Sequence, residues 1–149
     1  LLLLSALLFP SCGVPLEIEG GDWKDSEGYS KPKDDLWSAA VTLLEKRGWK
    51  FKTQDKITGR MLTESRIHLD PRWRFGDRQK VEIDVREVIE KTEKKHKFRI
   101  RVLRDVNDNS RDPMSEKEAV WVDAGGNDAL RDQLLYLLLM KVKGLGLDD

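Results

Sequence analysis

Four oxygen-bearing side chains, Asp105, Asn107, Asn109 and Glu116, stand at positions 1, 3, 5 and 12 of one polar stretch. That is the spacing with which a twelve-residue calcium loop presents oxygens to the ion. The same stretch has Ser110 where the sharp turn of such a loop needs glycine, and Asp112 where an apolar residue is expected. Its flanks read as strands where helices are required. Asn, Asp, Ser and Pro also make ordinary loops, which is the better reading, and no metal site is expected. A second group, Arg72, Trp73, Arg74 and Phe75, interleaves guanidinium groups with aromatic rings. Such a mixture can stack on single-stranded nucleic acid or sit at a protein or lipid interface. The simpler expectation folds Trp73 and Phe75 back over a sheet and leaves the arginines in water. A protein or membrane contact comes next.

The remaining chemical candidates are weaker. His68 and His96 are isolated and lack metal-ligand spacing to any partner. No G-x-S-x-G sequence supplies a nucleophile. Glu82 and Asp84 alternate with apolar residues, which sends both to a solvated outer face where a raised pKa is not expected. The "DAGGND" turn before a helical pattern is crowded by Asp123, Asp128 and Asp132, so it is a turn and cap and not a phosphate site. The segment "KTEKKHKFRIR" is basic, and would favour an anionic headgroup only if it lay beside the Arg72–Arg78 loop. Catalytic residues, cofactors and a small-molecule substrate are therefore not expected. A protein that works by binding alone is also expected to lack a concave pocket of clustered polar side chains.

The chain opens "LLLLSALLFPSCGVP". Residues 1–9 have the length of the apolar region of a signal peptide and are too short to span a bilayer. Pro10, Gly13 and Pro15 break any helix that would continue the run. No Met or basic segment precedes it, so the leader is expected to be truncated at its N-terminus. Phe9, Pro10, Ser11 and Cys12 resemble the bacterial lipobox, where signal peptidase II cuts before a cysteine. Ser11 is small, as that site requires, and Phe9 is large and apolar. Pro10 stands where Ser, Ala or Thr is usual. The resemblance implies a diacylglyceryl group on the Cys12 sulfur and acylation, by palmitate or a similar chain, of its freed amine. More than one chain gives stable anchoring. Gly13, in place of Asp, resembles lipoproteins sorted to the outer membrane. Cys12 is the only cysteine, so no internal disulfide is possible.

The remaining residues must build one domain. Lys+Arg and Asp+Glu balance at 27 each, so no overall field steers the protein to nucleic acid. Residues 1–11 are expected to be the signal peptide, 12–34 a tether that lets the domain stand off the bilayer, 35–144 the domain and 145–149 a tail. The domain begins with a helical stripe of Leu36, Trp37, Ala40, Val41, Leu43 and Leu44, capped by Asp34 or Asp35 and closed by Gly48. Strands follow over residues 49–54, about 60–69, "KVEIDVREV", "KFRIRVLR" and a short "EAVWV". One hairpin register, turning through residues 90–95, sets Val85 by Phe98, Ile83 by Ile100 and Val81 by Val102. It also sets Asp84 against Arg99 and Glu82 against Arg101. A second helix starts at the cap Asn127 and ends near Gly144; its stretch Leu134–Met140 is apolar almost all round, which demands deep burial or a partner. The fold class is α+β: a two-layer sandwich of a four- to five-stranded antiparallel sheet packed by an N-terminal and a C-terminal helix.

The segment from Asp35 to Thr63 carries an early helical Trp37, the closing Gly48, the aromatic Trp49 and then Asp55, Gly59, Leu62 and Thr63. It resembles domains of the lipoprotein C component of the outer-membrane β-barrel assembly machine, which have a helix-grip fold. The resemblance is one of domain type, and it implies a non-enzymatic envelope role through protein binding. The expectation is thus a lipoprotein held to the periplasmic side of the outer membrane by lipid on Cys12, with an envelope protein as partner. The alternatives are an exported enzyme and a calcium-stabilised binding domain.

Overall fold

The computed structural model of the chain describes residues 20–72 and 75–145. Its centre is a long hairpin of β5 (Asp77–Glu90) and β6 (Glu93–Asn107). Alternation puts Val81, Ile83 and Val85 on one face, where they meet Val102, Ile100 and Phe98 in the expected register. Asp84 stands opposite Arg99 and Glu82 opposite Arg101, also as expected. The ladder runs further than the apolar alternation marked, from Asp77 against Val106 to Glu90 against Glu93. The turn is accordingly two residues, Lys91 and Thr92, with φ of 48° and 71°. Positive φ at both positions is the type I′ geometry whose twist matches that of the strands.

β3 (Arg60–Thr63) and β4 (Arg66–His68) pair with β5, and β2 (Phe51–Asp55) pairs with β3. β1 (Lys24–Asp25) and β7 (Trp121–Gly126) pair with β6. Every pairing is antiparallel. The described residues thus form a seven-stranded sheet, larger than the four to five strands expected. The stretch expected as one strand over 60–69 is two. Leu62 faces Glu82 and Arg66 faces Gln79, so four steps on one strand match three on the other, a bulge. The Thr63 hydroxyl fills the broken ladder by accepting the Val81 N–H at 2.9 Å.

The second addition comes from residues 20–34, expected as tether. These belong to the fold: β1 pairs with Ile100 and Arg99, and Tyr29 is buried edge-on to Phe98 at 6.1 Å. Two aromatic anchors and backbone bonds to the β6 edge hold the segment without any periodic apolar pattern.

α1 (Lys33–Lys46) and α2 (Asp128–Val142) share one face of the sheet and one core with the inward residues of the hairpin. The expected aspartate cap of α1 is absent; Pro32 is the N-cap, and Asp34 and Asp35 lie in the first turn, favourable for the helix dipole. Gly48 closes the helix at φ 75°, with Gly48 N–H bonded to Glu45 O and Trp49 N–H to Leu44 O. Those two bonds are the Schellman pattern. In α2, Asn127 caps as expected, its side chain accepting the Leu130 N–H at 3.1 Å. Leu134, Leu138 and Val142 are buried, whereas Tyr136 is exposed, so the helix is covered on one side only. No described helix is long and apolar enough to cross a membrane.

Candidate functional site

The break between β3 and β4 opens a cleft. Among the described residues no strand pairs with the outer edge of β4, because β2 pairs with β3, and the first turns of α2 rise above it. The resulting space is about 590 Å³ and is lined by Trp49, Arg66, His68, Asp77, Asn127 and Gln133 among others. Ile67 and Leu130 add apolar wall. That volume suits a small ligand or a few side chains of a partner.

Most of the polar groups in the cleft serve one another. Asp77 accepts from Arg104 Nε at 2.7 Å and from Gln79 Nε2 at 2.8 Å. Gln79 Oε1 accepts from Asn127 Nδ2 at 3.0 Å, and Asn127 caps α2. A hydrogen-bonded chain therefore runs from β6 through β5 into α2 and fixes the mouth of the cleft. The Arg66 guanidinium lies 4.0 Å over the Trp49 ring and donates to the Arg47 carbonyl. His68 stands opposite Asp77 in register, yet no hydrogen bond joins their side chains. The cleft contradicts the expectation that no concave cluster of polar residues would be found. Of its titratable side chains, Asp77 is engaged by Arg104 and Gln79, and His68 lines the same wall.

The sequence-predicted residues are scattered. Cys12, Trp73 and Arg74 lie outside the described residues. Arg72 is exposed, and its N–H is taken by Asp70 Oδ1 at 2.8 Å. Phe75 has φ 52°, and its carbonyl accepts from Asn107 Nδ2 at 3.1 Å. The calcium candidates are engaged elsewhere. Asp105 pairs with Arg78 at 2.7 Å. Asn107 Oδ1 accepts the N–H groups of Asn109 and Val120, and Asn109 Oδ1 those of Arg111 and Asp112. Carbonyl oxygens turned toward amide hydrogens are turned away from a cation; Glu116 is exposed on a turn. Among the described residues no group of three or more His, Cys, Asp or Glu is placed to hold a metal. The basic run from Lys91 and the Arg72–Arg78 loop lie at opposite ends of the β5–β6 hairpin, so they form no common patch. His96 Nδ1 donates to the Lys31 carbonyl at 2.8 Å, tying the N-terminal segment to β6.

The helix-free face of the sheet departs from expectation at one residue. Glu82 is partly exposed and binds Arg101 at 2.7 Å. Asp84, expected in solvent, is buried, with 2% exposure. Arg86 Nη2 reaches it at 2.8 Å and Arg60 Nε at 3.5 Å. Long arginine stems lie over the short carboxylate and exclude water from it. Trp23 adds to this cover, lying under the guanidinium groups of Arg99 at 4.9 Å and Arg101 at 4.6 Å. Trp121 meets Arg78 in the same way at 5.0 Å.

The cleft residues Trp49, Arg66 and Asp77 were not singled out as a site in the sequence. Their convergence depends on the bulge after Thr63, for which a lone Thr followed by Glu64 and Ser65 is no usable signal. No protein-family model matches the chain, and no curated protein is similar to it.

Proposed function

We propose that the protein is a lipid-anchored lipoprotein of the bacterial outer membrane, facing the periplasm, that acts by binding a partner protein in envelope assembly. Cys12 carries the lipid, and the β4–α2 cleft receives the partner. The observation that carries the binding role is the mutual satisfaction of Asp77, Arg104, Gln79 and Asn127. Groups so engaged stiffen a surface and are poorly available to move protons. Arg66, Ile67 and His68 stand exposed beside them on the free edge of β4, where a partner can meet backbone and side chains together. The finer fold reading, a helix-grip domain, is supported by the order helix, antiparallel strands, helix and by both helices lying on one face.

Two measurements test this. A photo-crosslinking residue at Gln133 should capture one envelope protein, and one at Lys46, on the exposed end of α1, should not. Equal capture from both sites, or none from Gln133, sinks the cleft. Cys12→Ala should move the protein from the membrane to the soluble fraction and remove the lipid mass. Unchanged fractionation and mass sink the anchor.

A further inference from the structure

Helix α2 is apolar on the side that the core does not use. From Gln133 to Met140 it carries eight consecutive residues without a charge, in a chain where 36% of residues are charged. Of that stretch only Leu134 and Leu138 are fully buried. Leu135, Leu137, Leu139 and Met140 stay partly exposed, and Tyr136 is 55% exposed. A helix that is apolar all round is normally enclosed, and this one is enclosed on one side. Beside Tyr136 the helix and residues 25–29 leave a groove of about 380 Å³. Leu135, Leu139 and Tyr29 give it apolar lining, and Asp25, Glu27 and Asp132 stand in its wall. Each of these carboxylates is paired: Asp25 with Lys97, Glu27 with Lys143 and Asp132 with Lys24. The groove is thus an apolar slot with a neutralised rim, a poor site for a lone ion or a charged surface. It shares no lining residue with the β4–α2 cleft.

We propose that this surface is a dimer contact, in which α2 packs antiparallel on α2 of a second copy and each Tyr136 ring enters the other copy's groove. Three observations select that occupant. A two-fold contact must be self-complementary, and this one patch carries both an exposed ring and, beside it, a slot lined by leucines. Tyrosine suits the slot chemically: its ring meets Leu135 and Leu139, and its hydroxyl meets the rim of Ser26 and carboxylates. The second observation is the register. Asp132, Tyr136, Leu139 and Lys143 follow one another at spacings of four, three and four, so they share one side of the helix. The antiparallel alignment that sets Tyr136 against Leu139 of the second copy also sets Asp132 against Lys143 of the second copy, because both pairs have the same midpoint. Asp132 and Lys143 each keep their own partner, Lys24 and Glu27, so the contact desolvates no charge alone. The third observation is the segregation of charge along α2, with Asp128 in its first turn and Lys141 in its last. Antiparallel packing brings these opposite ends together and opposes the two helix dipoles, whereas parallel packing sets like against like. One helix and one groove wall make a contact at the small end of the standard class, which is about 800 Å² per partner. Association at micromolar concentration or weaker is therefore expected. The inference goes beyond the anchor and the cleft and rests on neither.

The test uses the chain from residue 12 onward with Cys12→Ser, which keeps every described residue and removes the only thiol. Sedimentation equilibrium over about 1–500 μM should show a monomer in exchange with a dimer. Tyr136→Glu should weaken the dimer by about tenfold or more at an unchanged circular dichroism spectrum. Ile57→Glu alters the most exposed large apolar side chain among the described residues, and should leave the dimer within about threefold of the parent. If Tyr136→Glu does not fold, Tyr136→Ser is read instead, with a loss of about threefold or more expected. Orientation is read with a short bismaleimide. Asp132→Cys and Lys143→Cys proteins, mixed, should cross-link to each other about tenfold faster than either does to itself, because like positions lie eleven residues apart along the pair, about 16 Å. A monomer at every concentration, equal loss from Tyr136→Glu and Ile57→Glu, or self-cross-linking of Asp132→Cys as fast as the mixture overturns the proposal. None of these outcomes involves the lipid anchor or an envelope partner, so the proposed function is judged separately by its own two measurements.

Discussion

Asn107 joins three segments with one carboxamide. Its Nδ2 donates to the carbonyls of Phe75 and Pro113, at 3.1 and 3.3 Å. Its Oδ1 accepts from Asn109 and Val120 N–H, at 3.0 and 3.1 Å. The residue is 2% exposed, so its carboxamide is shielded from water, and removing it leaves a void where four backbone groups lose their partner at once. Asn107→Ala should therefore lower stability by about 2–4 kcal/mol, seen as a lower urea midpoint at unchanged m-value. Asn107→Asp keeps both acceptor bonds but turns a carboxylate toward the Phe75 and Pro113 carbonyls, so it should not rescue the midpoint. A loss below about 0.5 kcal/mol, the range of ordinary surface changes, would mean that the loops at 75 and 113–120 are held by other contacts. The same geometry explains why calcium-like spacing misleads here. Asn at alternate positions also suits oxygens that close turns on backbone N–H groups, and only the neighbouring N–H positions distinguish the two uses.

Among the elements, the hairpin was the most legible and the N-terminal segment the least. Val81, Ile83 and Val85 against Phe98, Ile100 and Val102 allow only one register with all six buried and the charges of Glu82 and Asp84 facing Arg101 and Arg99, because a one-residue slip inverts the face. β1 has two residues, and its anchors Trp23 and Tyr29 follow no period, so composition alone suggested a tether. The β3–β4 break was hidden for a related reason: Thr63 repairs the ladder with a side chain, and alternation carries no record of a bulge. The cleft that the break opens was hidden with it. The hairpin turn is the weak part of its element. Thr92 holds φ 71°, a region that a β-branched residue occupies at a cost. Thr92→Gly should raise stability by roughly 0.5–1 kcal/mol, measured as a higher urea midpoint. An unchanged or lower midpoint would show that the Thr92 side chain contributes more than its backbone strain costs.

At the scale of the molecule, the segment 20–31 is held between the β6 edge and α2. Lys24 Nζ meets Asp132 at 3.0 Å, and Arg131 Nη1 donates to the Asp22 carbonyl at 3.1 Å. Lys31 Nζ donates to the Val142 carbonyl at 2.7 Å, and Lys143 pairs with Glu27 at 2.8 Å. This clamp holds the segment against α2 from both ends of the helix. Hydrogen bonds from Arg131 and then Lys24 hold the Asp132 carboxyl below its usual range. A carboxylate with a lowered folded pKa contributes stability above its unfolded value of about 4, and that contribution disappears as pH falls through the folded value. The Lys143 ammonium is raised by its bond to Glu27, so its contribution is present below the ordinary lysine value and is lost only in strong alkali. Between about pH 5 and pH 9 the clamp should therefore be constant. Asp132→Asn should lower the melting temperature at pH 7 by a few degrees at most, since the pair is half exposed. The gap between the variant and the parent should begin to narrow as pH falls below about 4, where the unfolded chain takes up the proton first, and close only as pH passes the lowered folded value and the folded parent itself carries a neutral carboxyl. Calorimetry at pH 7, 5 and 3 reads both effects. A gap that persists undiminished at pH 3 would assign the loss to packing of the side chain and remove its charge from the account of how this segment is held.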